Sequence, residues 1–406
     1  MTRRRRHGAR RAAPVPVLVL VMAAVVILAG CSSPTRRASS PPPTTEPVVG
    51  VPLASTFGTT TGELAVVAMG RPGDPLNTFW QLFVLRSNGT PHLTLATPPG
   101  VADNGGLVVN SSPLPGPTVL AGFEPSQALV FSPLALSQDG GGSWLPSPGL
   151  VPGGLAAVPD VLAGSSGAEV LALSRARGGE ILRSPGDLAH WSKLVDRSAL
   201  GSSPTGRACG VGGLTAVALD ASGHPLVGTS CTSPGVVGIF VPAADSWRRV
   251  GPRLPGRTGS APTTVLRLVH ADGMTSGLVA AATTPAPVLV GVASTRGRVW
   301  SHSAPLPLDR GTHIVSTGVE SGGGFVVLAA GHGSMALHAE TGPAGDWTSL
   351  PSPPAGTATV AVGTGGEVDA LAVASTALTE WRLDTAAGSW SKIGSVKVPI
   401  QFGSSA

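Results

Sequence analysis

The sequence predicts an all-β chain folded as a β-propeller of four-stranded antiparallel blades, and three observations carry that reading. The 406 residues include 56 Gly and 39 Pro beside 42% hydrophobic residues, and only 12% are charged. Turn formers mixed with so many apolar residues favour short strands and tight turns over long helices. Tryptophan recurs at Trp144, Trp191, Trp247, Trp300, Trp347 and Trp390, at intervals of 47, 56, 53, 47 and 43 residues. A glycine turn keeps phase with it, 24 residues ahead of four of these positions, at Gly167, Gly223, Gly323 and Gly366. An internal period of this length matches one propeller blade.

Strand-like runs flank the glycine turns, as at 214–219 and 225–229, and again at 358–362 and 370–374. Each unit therefore reads as strand, Gly turn, strand, loop, strand, turn, and a last strand opening on Trp. The unit ending at Trp300 is looser, with Asp272-Gly273 placing its glycine 27 residues ahead. The unit before Trp144 starts near Leu107, and an earlier one runs from Glu63 through Gln81 with His92 in place of Trp. Seven blades result. Six or eight stay open, because ring closure can recruit strands from either terminus; pairing of Val396–Phe402 with Leu64–Val67 is one expected closure. A β-sandwich has no need of Trp at blade spacing, and a β-helix repeats at a shorter period.

The ends of the chain are read separately. Residues 1–30 have the layout of a signal peptide: arginines at 3–6, 10 and 11, then an apolar run from Val15 to Gly30 that is short for a stable membrane span. The run ends Leu28-Ala29-Gly30-Cys31, which resembles the lipobox of bacterial lipoproteins. That resemblance implies that Cys31 becomes the acylated first residue of the mature protein, anchored to the cell membrane on its extracytoplasmic face. Residues 31–56, rich in Ser, Pro and Thr, read as an extended tether reaching roughly 60–80 Å at about 3 Å per residue. Residues 57–406 are left for the propeller.

Charge supports this division. Six of the 27 basic residues precede Cys31 and none of the 22 acidic ones does, which leaves 21 against 22 beyond the leader. The chain's basic character therefore belongs to the leader. With no basic stripe in the folded part, nucleic-acid binding is not expected.

One unit carries a sharp motif. Ser137-Gln138-Asp139-Gly140-Gly141-Gly142-Ser143-Trp144 resembles the Asp box of sialidase-like propellers. The resemblance implies a structural role at the periphery for Ser137, Asp139, Gly141 and Trp144. The enzymes of that family use a tyrosine nucleophile, and this chain has no tyrosine, so a sialidase of that design is excluded. The same kind of fold serves as a non-catalytic scaffold in photosystem assembly factors and sortilin-like receptors. The expected role is a non-catalytic binding or scaffold module for a protein, glycan or envelope ligand. The alternative is a glycan-active hydrolase or lyase with an axial site.

No catalytic residue, cofactor or metal site is assigned. Cys209 and Cys231 bracket the hairpin at Gly223, and export to an oxidising compartment predicts a disulfide between them. If the first strand of each unit is innermost, Arg267, His270, His313 and Glu320 lie on or beside inner strands and are the candidates for a polar axial pocket.

Overall fold

The computed structural model describes segments 48–56, 63–70, 78–85, 91–95, 106–110, 119–124, 134–139, 145–146 and 161–164, residue 143, and a nearly continuous chain from 169 to 397. The leader, Cys31, Gly141, Trp144 and Gly167 lie outside the described residues.

Consecutive strands pair antiparallel into seven four-stranded units. Blade 1 consists of Val48–Thr56, Glu63–Gly70, Thr78–Leu85 and Pro91–Leu95. Blade 2 runs from Gly106–Asn110 to Leu145–Pro146, and blade 3 from Val161–Gly164 to Ser192–Asp196. Blade 4 runs from Val211–Leu219 to Ser246–Arg249. Blade 5 runs from Thr263–Ala271 to an outer strand split into Ser301–His302 and Leu306–Pro307. Blade 6 spans His313–Val319 to Trp347–Leu350, and blade 7 spans Thr357–Val362 to Ser389–Lys397. Blades 4 and 5 share one continuous sheet through the pairs Ser230↔Thr264 and Cys231↔Thr263.

The first strand of each blade is the innermost. First strands lie side by side from blade 1 through blade 5 and again between blades 6 and 7, and that of blade 7 lies beside that of blade 1, closing the ring. Two expectations are corrected here. Val48–Thr56, assigned to the tether, is the inner strand of blade 1 and pairs with Glu63–Gly70. Closure does not use Val396, which pairs with Leu378 inside blade 7, while Leu64–Val67 pair within blade 1.

Both sequence markers acquire a structural meaning. Gly223, Gly323 and Gly366 adopt φ of 77°, 91° and 85° at the turn joining the first and second strands, a conformation open to glycine without a Cβ penalty. The three turns share one hydrogen-bond pattern: Gly223 N–H donates to Asp220 O, Gly323 N–H to Glu320 O, and Gly366 N–H to Gly363 O. Blade 5 replaces this with a two-residue turn, Asp272-Gly273, both at positive φ, which accounts for its displaced glycine. From Trp191 onward, the repeating tryptophans open the outermost strand, as Trp347 does, or sit one residue to either side of its start.

Successive blades are held together by apolar clusters. Val227, Phe240 and Leu173 belong to the seam of blades 3 and 4, Phe325 and Val327 to that of blades 5 and 6, and Val326, Val360 and Ala370 to that of blades 6 and 7. In blades 3 to 7 the second strands are buried on both faces, so Phe325–Gly331 reads FVVLAAG without alternation.

Two short helices that the sequence reading did not foresee link blades 3 and 4: α1 (Arg197–Ser202) and α2 (Pro204–Cys209). Asp196 caps the first and Ser203 the second, with Pro204 in its first turn and left-handed Gly210 ending it. Cys209 at the end of α2 is disulfide-bonded to Cys231, the last residue of blade 4's second strand.

Candidate functional site

The axial wall is built from the seven inner strands, and its chemistry is sparse. Arg267 is the one permanently charged residue on those strands. In blades 4 to 7 the inner strand carries an extra residue relative to its neighbour, at Thr215, Leu266, Val315 and Ala358, with a second in blade 4 at Gly212. Such a bulge bends the strand and re-aims the side chains beside it. Two contacts between inner strands use residues at this level. Thr215 Oγ1 donates to the Val265 carbonyl at 2.6 Å, and the Ser316 and Thr359 hydroxyls meet at 2.7 Å.

In blade 5 the bulge isolates Arg267. Val265 and Leu268 pack into the core between blades 4 and 5, and Leu266 and Val269 against that between blades 5 and 6. Arg267 joins neither core and is exposed at the inner edge of its strand. Desolvation by the surrounding protein still holds its pKa below the ordinary arginine value. Arg267 thus meets solvent while the protein around it disfavours its charged form. Among the described residues no hydrogen bond or ion pair engages its guanidinium, and no acidic group contributes to its shift.

The other three candidates do not join Arg267 in a pocket. His270 shares the face of Leu268, toward blade 4; its Nδ1 lies 3.0 Å from Thr275 Oγ1 and its Nε2 is buried without a partner. His313 is exposed at the first residue of blade 6's inner strand. Glu320 follows the last residue of the same strand, so the two lie roughly 20 Å apart at ~3.3 Å per residue. Burial raises the pKa of Glu320, whose carboxylate packs against Gly324 of its own turn.

The Asp-box turn closes on its own carboxylate. Asp139 Oδ1 accepts from Ser143 N–H and Ser137 Oγ, each at 2.8 Å, and Oδ2 accepts from Ser143 Oγ at 2.7 Å. A related turn in blade 3 has Leu188 N–H donating to Ser184 Oγ and Trp191 Nε1 to Leu188 O, with Trp191 buried between blades 2 and 3. Both turns serve to fix the outer strand.

Two acidic groups that the sequence reading passed over are strongly perturbed. Glu340, on the third strand of blade 6, is pushed up to about 8, chiefly by burial. Glu380, on the third strand of blade 7, is pushed up to about 7 by burial and by neighbouring Asp369. Asp369 itself is wholly buried and accepts two hydrogen bonds from Arg382, at 2.8 and 2.7 Å. Both carboxyls sit in blade seams, away from the axial wall. Among the described residues no three His, Cys, Asp or Glu side chains gather as a metal site.

No family model matches the sequence, and no curated protein does. Solved structures do resemble it. The BP39L lectin of Burkholderia pseudomallei matches with a TM-score of 0.52 and 16% identity over 86% of this chain and 99% of the lectin. A 6-phosphogluconolactonase-like protein from Bacteroides uniformis matches with 0.51 and 12% identity over 87% of this chain and 97% of that one. A puromycin hydrolase matches with 0.48 and 17% identity over 85% of this chain, which spans only 53% of the hydrolase. At these identities the likeness is one of fold. The chain shares the β-propeller architecture with proteins of unlike activity, and its function has to be read from its own residues.

Proposed function

We propose that the protein is an extracytoplasmic lipoprotein whose propeller is a binding module, with Arg267 receiving an anionic group of the ligand in the axial channel. The observation that carries this is the isolation of Arg267: among the described residues its guanidinium has no counter-ion, and the described inner strands hold no other permanent charge. An arginine offers a planar fork of donors matched to carboxylate and phosphate. The same observation weighs against a glycan-active hydrolase, because acid–base glycoside hydrolysis needs two carboxyl groups flanking one bond. The described inner strands contain no Asp or Glu, and Glu320 stands in the turn beyond the end of its strand. The Asp-box resemblance adds a sialidase-like scaffold to this reading, and the lipobox at Cys31 adds its location.

Titration with inorganic phosphate and with glucuronate, followed by thermal unfolding, tests the site. The wild type is expected to show a saturable rise in Tm that Arg267→Leu abolishes, while the variant alone unfolds no earlier than the wild type, since it loses a desolvated charge and no partner. Equal ligand-induced shifts in both proteins reject Arg267 as the receptor. For the anchor, Cys31→Ser is expected to abolish lipid labelling and release the protein from membranes; unchanged labelling and retention reject the lipoprotein assignment.

A further inference from the structure

Among the described residues, the turns and loops on the two faces of the ring carry opposite charge. Antiparallel pairing puts the turns between first and second strands, and between third and fourth strands, on one face. Asp220, Asp272, Glu320 and Glu367 stand at the first of these turns in blades 4 to 7, and Asp346 and Asp384 at the outer turns of blades 6 and 7. Among the described residues, Arg298 is the one arginine or lysine in the turns of that face.

Loops connecting one blade to the next lie on the opposite face. They carry Arg197, Arg207, Arg253, Arg257 and Arg310, all exposed, against Asp309. The positive charge there is locally uncompensated: burial first, and then repulsion from Arg253, lower the pKa of nearby Arg249. Val48 begins an inner strand and therefore starts at this same basic face. The inner strand also shortens the expected tether to residues 31–47, about 50 Å when extended at ~3.1 Å per residue.

We propose that the connecting-loop face docks on anionic phospholipid headgroups, so that the channel axis stands along the membrane normal with the acidic mouth outward. This rests on the lipid-anchor reading at Cys31. Clustered basic side chains close to a negatively charged bilayer are attracted to it within a Debye length. The propeller is joined to the tether at this face, because its first inner strand begins there.

The test uses the full-length lipidated protein reconstituted into vesicles of phosphatidylcholine alone or with phosphatidylglycerol, read by amide hydrogen exchange and by flotation. On the anionic vesicles, exchange in loops 250–262 and 308–312 is expected to slow about fivefold, with turns 320–324 and 363–367 unchanged. High salt, or the combined substitutions Arg253→Glu, Arg257→Glu and Arg310→Glu, should remove that protection while the protein still floats. Flotation with identical exchange on both vesicle types overturns the docking and leaves the anchor standing. Failure to float with either vesicle type removes the anchor and the docking with it.

Discussion

Glu340→Gln is expected to stabilise the protein by about 4 kcal/mol at pH 8.5 and to leave it nearly unchanged at pH 4. Glu340 is 1% exposed, and its Oε1 packs so closely over Gly291 of blade 5 that a Cβ there would collide with it. Neither carboxylate oxygen has a hydrogen-bond partner of normal geometry. Burial therefore pushes the group up to about 8, against the pull of the Phe325 and Ala344 N–H groups, while Glu320 adds repulsion. The folded chain keeps a proton that the unfolded chain releases near pH 4.5. Between pH 4.5 and 8 the folded state binds more protons, so this contribution to stability falls as pH rises and is flat outside that window. Glutamine holds the neutral shape at every pH. Urea unfolding of both proteins at several pH values from 4 to 9 checks this; parallel pH profiles would show that Glu340 is not held neutral by the fold. Glu380, at about 7, slopes in the same direction and remains in the variant.

The repeat was legible because its markers report backbone geometry directly. In blades 4 to 7 a glycine at positive φ closes the first turn and a tryptophan stands at or beside the start of the outer strand. The inner strand of blade 1 was missed because Val48–Thr56 contains Gly50 and Pro52 and follows a Pro- and Thr-rich stretch. Its register is indeed irregular on both sides of Pro52, as an inner edge strand tolerates. The helices at 197–209 are too short to show a 3.6-residue period, although Asp196, Ser203-Pro204 and Gly210 are readable caps. Arg267 was legible as a charge within an apolar run. Where His270, His313 and Glu320 lie relative to it was not legible, because sequence shows membership of an inner strand and not the level along the axis. Glu340, Asp369 and Glu380 escaped notice for a related reason. Ala377–Asp384 alternates like a half-exposed strand, and nothing in that pattern shows that its polar side enters a seam.

Asp369→Ala is expected to cost about 3–5 kcal/mol, because it strips the partner from a buried ion pair. Val368, Ala370 and Leu383 pack toward blade 6, so the opposite face of the same strands, with Asp369, Glu380 and Arg382, is turned toward blade 1. That seam joins the last blade to the first and has no chain connection across it. Asp369 has no exposed surface and holds the guanidinium bidentately, while the Arg382 side chain keeps 35% exposure. The substitution also changes Glu380. Burial is the main cause of its raised pKa, the Asp369 charge adds to it and Arg382 opposes it. With Asp369 gone, Arg382 acts on Glu380 alone, and its titration should move down from about 7. Carboxyl carbon NMR during a pH titration, together with denaturant unfolding, measures both effects. A loss of stability without that downward shift would mean that Asp369 acts through packing and not through charge. Replacing Asp369 and Arg382 together by Leu and Met separates the pair's net worth from the penalty of breaking it. If the double variant is as stable as the wild type, the pair contributes little net stability, and what the single variant loses is the cost of leaving one charge alone in the seam.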